Sequence, residues 1–263
     1  MQLIVYQIDA FAKHVFEGNP AAVCPLPEWL PDALMQRIAE ENNLSETAFF
    51  VPTETGFHIR WFTPTLEVDL CGHATLAAAH VLFHELAYEQ DNLVFESRSG
   101  LLHVAKKGAL LELDFPIQPA LACETPEQIL HAFGIEPVAC LKGVDYIVVF
   151  ECEDDVFSAE PKLQLLKELD GRGVIITAAS DASQYDFVAR FFAPNYGIDE
   201  DPVTGSAYTQ LAPYWSQRLG LKTLRARQLS SRGGDVWCEL NGDRVFIAGK
   251  AVKYLQGGIE VEC

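Results

Sequence analysis

Positive charge is scarce in this chain. Its 263 residues carry 19 Lys and Arg against 37 Asp and Glu, for a formal net charge of −18, and no block of basic residues stands out. A surface of that sign repels phosphate backbones and anionic lipid, which argues against nucleic acid and membrane partners. A small anion, which needs only a few local donors, stays open as a ligand. No Cys-x-x-Cys pair occurs among the seven cysteines, Cys24, Cys71, Cys123, Cys140, Cys152, Cys238 and Cys263, so a zinc ribbon is not expected. Scattered thiols in odd number suit a reducing compartment. Long apolar runs are missing too: the longest candidate is broken by His80 and His84, so no membrane-spanning helix is expected. The start, Met1-Gln2-Leu3-Ile4-Val5-Tyr6, lacks the charged region of a signal peptide. A cytoplasmic protein is the expectation.

What the chain does contain is an echo of itself. Arg60-Trp61-Phe62-Thr63-Pro64 returns as Arg190-Phe191-Phe192-Ala193-Pro194, 130 residues later. Cys71-Gly72-His73-Ala74 is matched by Thr204-Gly205-Ser206-Ala207 at an offset of 133. Internal similarity at a fixed offset outranks local pattern when fold is argued, and an offset of half the chain indicates a duplicated domain. Each small-residue turn is expected to open a helix. The first, with Ala74, Leu76, Ala77, Ala78, Ala79, Val81, Leu82 and Phe83, is apolar on nearly every face and therefore buried. Helix N-termini present N–H groups without intrahelical partners and favour anions. Ser206 is expected as the N-cap of the second helix.

Around these motifs the pattern predicts strands over 3–10, 21–24, 44–51, 57–62, 93–97, 101–106 and 110–115 in the first half, with a helix over 31–41. Residues 63–70 read as a loop and 116–119 as the crossover. The second half reads as helices over 125–133 and 161–169, strands over 146–150, 174–177 and 187–192, the second motif helix running to Gly220, and a meander over 224–229, 236–240, 244–248 and 251–255. Pro213 inside that helix should cost a hydrogen bond and kink it.

Several side chains invite chemistry. On an alternating strand Glu46 shares a face with Leu44, Ala48 and Phe50, so desolvation should raise its pKa, as a general base or acid near neutral pH requires. The alternative, a strand-edge carboxylate reaching water, stands equally at this point. Asp199-Glu200-Asp201-Pro202 crowds three carboxylates, which disfavours full ionisation, although acidic loops are often merely solvated; Asp201 is singled out because Pro202 fixes the chain beside it. His73 sits at the first helix start, where Ser206 sits in the repeat. Cys71 is either a structural residue or an acid–base thiol with a pKa lowered by the helix N-terminus; its counterpart, Thr204, denies it a thiol partner. Cys71 and His73 find no third metal ligand at the usual spacings.

Four blocks, Glu17-Gly18-Asn19-Pro20-Ala21-Ala22-Val23, Leu44-Ser45-Glu46-Thr47-Ala48, Cys71-Gly72-His73-Ala74-Thr75 and Asp201-Pro202-Val203-Thr204-Gly205-Ser206-Ala207, resemble the signature blocks of the PhzF-like isomerase family of phenazine biosynthesis. The resemblance runs end to end, through Leu211-Ala212-Pro213-Tyr214-Trp215 to the strand pair over 244–252. It implies an α/β (α+β) fold of the diaminopimelate-epimerase-like kind: two pseudo-symmetric halves, each a curved, mostly antiparallel sheet around a central helix. Residues 1–116 would form one half and 117–263 the other, with about 250–263 packing back onto the first and the active site in the cleft between them. It further implies a homodimer that needs neither metal nor organic cofactor. In the characterised phenazine enzyme a Glu shuttles a proton within dihydro-hydroxyanthranilate. The resemblance assigns that role to Glu46, with His73 and Asp201 assisting and Asn19, Gly72, Gly205 and Ser206 holding the substrate. Tyr208 departs from a frequent His, which bears on the pocket wall, and Cys71 is a thiol that the phenazine enzyme does not need. The expected activity is therefore proton transfer within a small carboxylate-bearing substrate. An amino-acid epimerase or racemase using Cys71, and a binding protein without turnover, are the alternatives.

Overall fold

The computed structural model describes residues 1–261, so Cys263 lies outside it. The chain forms two compact units: Met1–Asp114 together with the C-terminal stretch from Ala248, and Phe115–Ile247. In the first unit the order is β1 (Gln2–Ala10), β2 (Asn19–Pro25), α1 (Asp32–Asn42), β3 (Glu46–Pro52), β4 (Phe57–Phe62), β5 (Glu67–Val68), α2 (Gly72–His80), β6 (Asn92–Ser97), β7 (Gly100–Lys107) and β8 (Leu110–Pro116). The second brings β9 (Leu121–Ala122), α3 (Glu127–Phe133), β10 (Ala139–Lys142), β11 (Tyr146–Val149), α4 (Glu153–Phe157), α5 (Leu163–Leu166), β12 (Val174–Ala179), β13 (Phe187–Ala193), β14 (Ile198–Asp201), α6 (Tyr208–Leu219), β15 (Thr223–Gln228), β16 (Gly234–Asn241) and β17 (Arg244–Gly249). The last strand, β18 (Ala251–Glu260), returns to the first unit and pairs antiparallel with β1.

The duplication read in the sequence is written into the strand pairing. In the first unit β1–β2 is antiparallel, β2–β3 parallel, β3–β4 and β4–β5 antiparallel, β4–β6 parallel and β6–β7 antiparallel. The second unit repeats that series, with β10–β11 antiparallel, β11–β12 parallel, β12–β13 and β13–β14 antiparallel, β13–β15 parallel and β15–β16 antiparallel. Parallel neighbours need a crossover, and α1 supplies it between β2 and β3, as α4 and α5 do between β11 and β12.

The repeated Arg-aromatic-Phe motif has a structural meaning in each unit. Arg60 on β4 donates from Nε and Nη2 to the two carboxylate oxygens of Glu67, at 2.7 and 2.8 Å, and its guanidinium lies 5.2 Å from the ring centre of Phe62. Arg190 on β13 holds Glu200 at 2.6 and 3.0 Å and stacks 5.1 Å from Phe192. The planar five-donor fork of arginine matches a carboxylate in two places at once. The pair fastens each central strand to the short strand that follows it.

Burial explains the helices. Every residue of α2 from His73 to Ala79 is buried, and the helix packs against β1, β2, β3 and β18. Its continuation, Val81–Glu85, is a π-helical turn. The amphipathic α1 buries only Met35, Ile38 and Ala39, against Ala22, Cys24, Phe49, Val51 and Phe62. In α6, Leu211, Ala212 and Trp215 are buried; Trp215 stacks on Phe187 at 5.4 Å and donates its indole N–H to Thr177 Oγ1 at 3.0 Å.

Pro213 lies inside α6. It has no N–H for the carbonyl of Thr209 four residues before it, and that carbonyl accepts the backbone N–H of Gln118 at 3.1 Å instead. The gap in the helix ladder becomes an anchor for the incoming chain.

Three local expectations change. The stretch 161–169 holds a single turn, Leu163–Leu166. The loop over 63–70 contains β5, and the acidic run at 198–201 is a strand, with Glu200 neutralised by Arg190. A helix with no expected counterpart, α4, opens on Glu153-Asp154-Asp155, where acidic residues complement the N-terminal end of the dipole. Among the described residues, no helix is long and apolar enough to cross a membrane.

Candidate functional site

Asn19, Glu46, Cys71, Gly72 and His73 belong to the first unit, and Asp201, Gly205 and Ser206 to the second. In the first unit Gly18 adopts φ +66°, and a Cβ there would lie 2.1 Å from the carbonyl oxygen of Ala10; only glycine makes this turn. The turn delivers Asn19 to the start of β2, fully buried, where its side-chain oxygen accepts the Ser45 hydroxyl at 3.3 Å. The next residue, Glu46, begins β3 and pairs with Ala21 of β2. Phe49 and Val51 join the cluster under α1, so the alternation of the strand turns Glu46 to the opposite face, with Ala48 and Phe50.

Across that face stands the start of α2. Cys71 is its extended N-cap residue (φ −143°, ψ 108°) without a side-chain capping bond, and Thr75 caps the carbonyl of Cys71 with its hydroxyl at 2.6 Å. The Cys71 sulfur lies 3.5 Å from His73 Nδ1, and His73 Nε2 lies 3.1 Å from Glu46 Oε2. This last contact is as close as an ion pair, yet it lacks the alignment of a hydrogen bond, and neither atom has another hydrogen-bond partner among the described residues. Thiol, imidazole and carboxylate thus form a compact buried cluster.

The electrostatics of the cluster correct two expectations. For Glu46, burial is the largest single influence and pushes the pKa up, but the charge and close N–H of His73 and the Cys71 thiol together hold it below the ordinary carboxylate value. The carboxylate is therefore ionised at neutral pH. His73 shows the mirror effect: burial opposes its charge, and Cys71 and Glu46 nonetheless raise its pKa well above that of a free imidazole. Cys71, expected to be lowered by the helix N-terminus, is instead raised to about 11, first by burial and then by the Glu46 charge, against weaker opposition from His73 and the Ala74 backbone. It is a neutral thiol. The linear sequence also hides a third ligand for a cation, since ligand atoms of Glu46, Cys71 and His73 lie within 4.8 Å of one another. A metal taken up there would first have to displace the protons of Cys71 and His73.

In the second unit Asp201 ends β14, where the Thr204 hydroxyl donates to its Oδ2 at 2.5 Å. Gln228 clamps the turn between them, donating to the Asp201 carbonyl at 2.9 Å and accepting the Thr204 N–H at 3.0 Å. The motif turn Gly205–Ala207 is 3₁₀-helical, and α6 begins only at Tyr208. Ser206 therefore makes no N-cap bond, contrary to expectation. Its Oγ accepts from Arg172 Nη1 at 2.8 Å instead. The other edge of Arg172 grips Asp145 at 2.9 and 2.5 Å, and Gln210 donates to Asp145 Oδ2 at 2.7 Å. Burial pulls Arg172 down, but Asp145, with help from the charge of Asp201, holds it above its ordinary value. A guanidinium can only donate, so Ser206 must accept, and its own O–H is left to donate elsewhere. Tyr208, marked as a departure at the pocket wall, is a core residue: it is fully buried, 6.1 Å from the Phe187 ring, with its hydroxyl 3.5 Å from Gln228 Oε1.

Arg172, Asp145, Gln210 and Gln228 escaped the sequence reading. The isolated cation in Gly171-Arg172-Gly173 was the one visible signal; its partners lie 27 and 34 residues away, beyond any local pattern.

The pairing registers also align the two units residue by residue. Thr47 pairs with Phe62 as Val174 pairs with Phe192, so Glu46 corresponds to Gly173. Trp61 pairs with Val68 as Phe191 pairs with Asp201, so Asp201 corresponds to Val68. Glu46 and Asp201 thus each lack a carboxylate counterpart in the other unit.

Comparison with known proteins places the chain in a family. An uncharacterized isomerase of Pseudomonas aeruginosa is 51% identical over 261 residues, covering 99% of this chain and 100% of that protein. The crystal structure of a PhzF-family phenazine biosynthesis protein from Enterococcus faecalis superposes with a TM-score of 0.97 at 46% identity, covering 99% of this chain and 100% of that one. A hydroxyproline epimerase from Agrobacterium vitis with bound trans-4-hydroxy-L-proline has a TM-score of 0.64 at 9% identity, covering 98% and 92%; this likeness concerns the fold alone, the diaminopimelate-epimerase-like one. The model of the phenazine biosynthesis-like proteins, PhzC-PhzF, matches residues 8–257, and with that coverage the chain belongs to the PhzC-PhzF family.

Proposed function

We propose that the isomerase chemistry of this protein is intramolecular proton transfer on a small carboxylate-bearing substrate, with Glu46 as the group that carries the proton. One observation supports it above the rest: the buried Oε2 of Glu46 stands 3.1 Å from His73 Nε2 with no aligned hydrogen bond to satisfy either atom. Buried polar atoms left in this state are costly and mark a place where a ligand completes the pairing. Ionised at rest, Glu46 acts first as a base, accepts a substrate proton, and as the resulting acid returns it to another atom of the same molecule. The charge of His73 holds Glu46 deprotonated between turnovers. Asp201, and Ser206 through its free O–H, take the part of substrate-holding groups, as Asn19, Gly72 and Gly205 do.

A two-base epimerase needs a second proton-transfer group, and the duplication repeats neither Cys71 nor Glu46. The counterpart of Cys71 is Thr204, that of Glu46 is Gly173, and Cys71 itself is neutral and buried. These facts favour one base over two.

The test is turnover in D2O, beginning with dihydro-hydroxyanthranilate and continuing through cyclic and amino-acid-like carboxylates, with product labelling read by NMR. A single shuttling carboxylate returns part of the substrate's own hydrogen to the product, and Glu46→Gln removes turnover by on the order of 10² to 10⁴. Complete solvent labelling, together with loss of turnover in Cys71→Ser, would establish the epimerase instead.

A further inference from the structure

Among the described cysteines, Cys123 and Cys140 stand apart: their sulfurs are 3.7 Å apart. They follow directly from the β9–β10 register, in which Ala122 pairs with Leu141, so the next rung sets Cys123 opposite Cys140. The Cys123 N–H donates to the Cys140 carbonyl at 3.0 Å and fixes that rung. Directly opposed antiparallel residues have Cα atoms about 4.5–5.5 Å apart, inside the roughly 4.4–6.8 Å that a disulfide spans. Closing the bond moves each sulfur by only about 1 Å, to a separation of about 2 Å.

We propose that Cys123 and Cys140 are a modification site, a dithiol that a hydroperoxide converts to an intramolecular disulfide and a thiol reductant reopens. The two residues have different parts. Cys123 is half-buried and open to a small oxidant, whereas Cys140 is buried. The thiol of Cys140 is raised to about 12, by burial and then by Cys123, so Cys123 reacts first. Its thiolate attacks the terminal oxygen of the hydroperoxide and breaks the O–O bond, giving a Cys123 sulfenic acid and an alcohol, or water when the oxidant is hydrogen peroxide. The Cys140 sulfur then attacks the Cys123 sulfur and expels hydroxide, which takes the Cys140 proton and leaves as water. Two thiols lose two electrons and two protons, and one peroxide bond is reduced. Contact between the sulfurs compensates for the low thiolate fraction of Cys140 by making the second step intramolecular.

The staple would close the segment between the two cysteines, which carries α3 with Ile129 and Ala132 in the core of the second unit. The thiols of buried Cys24 and Cys238 are pushed up by burial alone.

Treating the reduced full-length protein with stoichiometric hydrogen peroxide should remove two hydrogens from its mass and yield one peptide joining Cys123 to Cys140, both reversed by dithiothreitol. In Cys140→Ser, Cys123 should stop at the sulfenic acid and take up dimedone; Cys140→Ala repeats the measurement should Ser unsettle the core. In Cys123→Ser no cross-linked peptide should form. The proposal fails if the wild-type protein accumulates dimedone-reactive Cys123 without the cross-link, if the oxidised pair involves another cysteine, or if both thiols survive unmodified.

Discussion

Glu46 and Gly173 occupy equivalent positions in the two units, and there is no room at Gly173 for a side chain. A Cβ built there would lie 2.7 Å from Phe191 Cζ and 2.8 Å from the carbonyl oxygen of Phe192. The aromatic ring that follows the repeated Arg fills the space that a second carboxylate would need. Gly173→Ala should therefore destabilise the protein by about 1–3 kcal/mol, the usual cost of overpacking, read as a lower denaturant midpoint. An unchanged midpoint would mean that Phe191 swings aside freely and that packing does not keep the units different.

The Glu46–His73 pair should leave a signature in stability against pH. The pKa of Glu46 is lowered from 4.5, so its contribution is present above that value and is lost as pH falls through the lowered one. That of His73 is raised from 6.5, so its contribution is present below that value and is lost as pH rises through the raised one. The advantage of the wild-type protein over Glu46→Gln should be greatest between about pH 4.5 and 6.5 and shrink on both sides. Chemical denaturation at a series of pH values gives the curve, and a difference that rises steadily into the alkaline range would contradict the pair.

Cys71 should be slow towards alkylating reagents. It is 7% exposed and its pKa is raised to about 11, and the thiolate is the reactive form. Peptide-resolved labelling with iodoacetamide at neutral pH should modify the half-buried Cys123 and Cys152 well before Cys71, and Cys71→Ser should keep most turnover. Preferential labelling of Cys71 would point to an activated thiol.

Arg172 should matter far more to stability than the hydroxyl it holds. Asp145 has no exposed side-chain surface, and removing its cation leaves a buried charge with Gln210 as its remaining side-chain donor. Arg172→Ala should cost about 3–5 kcal/mol, and Ser206→Ala about 1 kcal/mol. Thermal and denaturant unfolding of the two variants supply the comparison; equal losses would mean that Asp145 finds water or another donor.

The parts of this molecule that were legible in the sequence are those that repeat or that bury continuous apolar runs. Arg60 and Arg190 announced the duplication because the same bidentate bond is made twice, and α2 announced its burial through its alanines. The motifs single out Glu46, His73 and Asp201 as candidates. The protonation states of Glu46 and His73 were not legible, because the charge of Glu46 depends on a residue 27 positions away on another element. The networks of Arg172 and Gln228 were invisible for the same reason. Short strands such as β9 and β10 carry too few residues for a period to show, and α4 hid behind three acids that look like a solvated loop.

The discontinuity of the first unit affects the order of events during synthesis. Domains commonly fold as they leave the ribosome, N-terminal first. Here β1 pairs along its whole length with β18, so the first unit lacks one of its strands until the second unit has been made. The second unit, continuous from Phe115 to Ile247, has all its strands earlier. Until β18 arrives, the outer edge of β1 presents unpaired backbone groups, a template for pairing with another nascent chain. The unit that carries Glu46 and His73 is thus begun first and finished last.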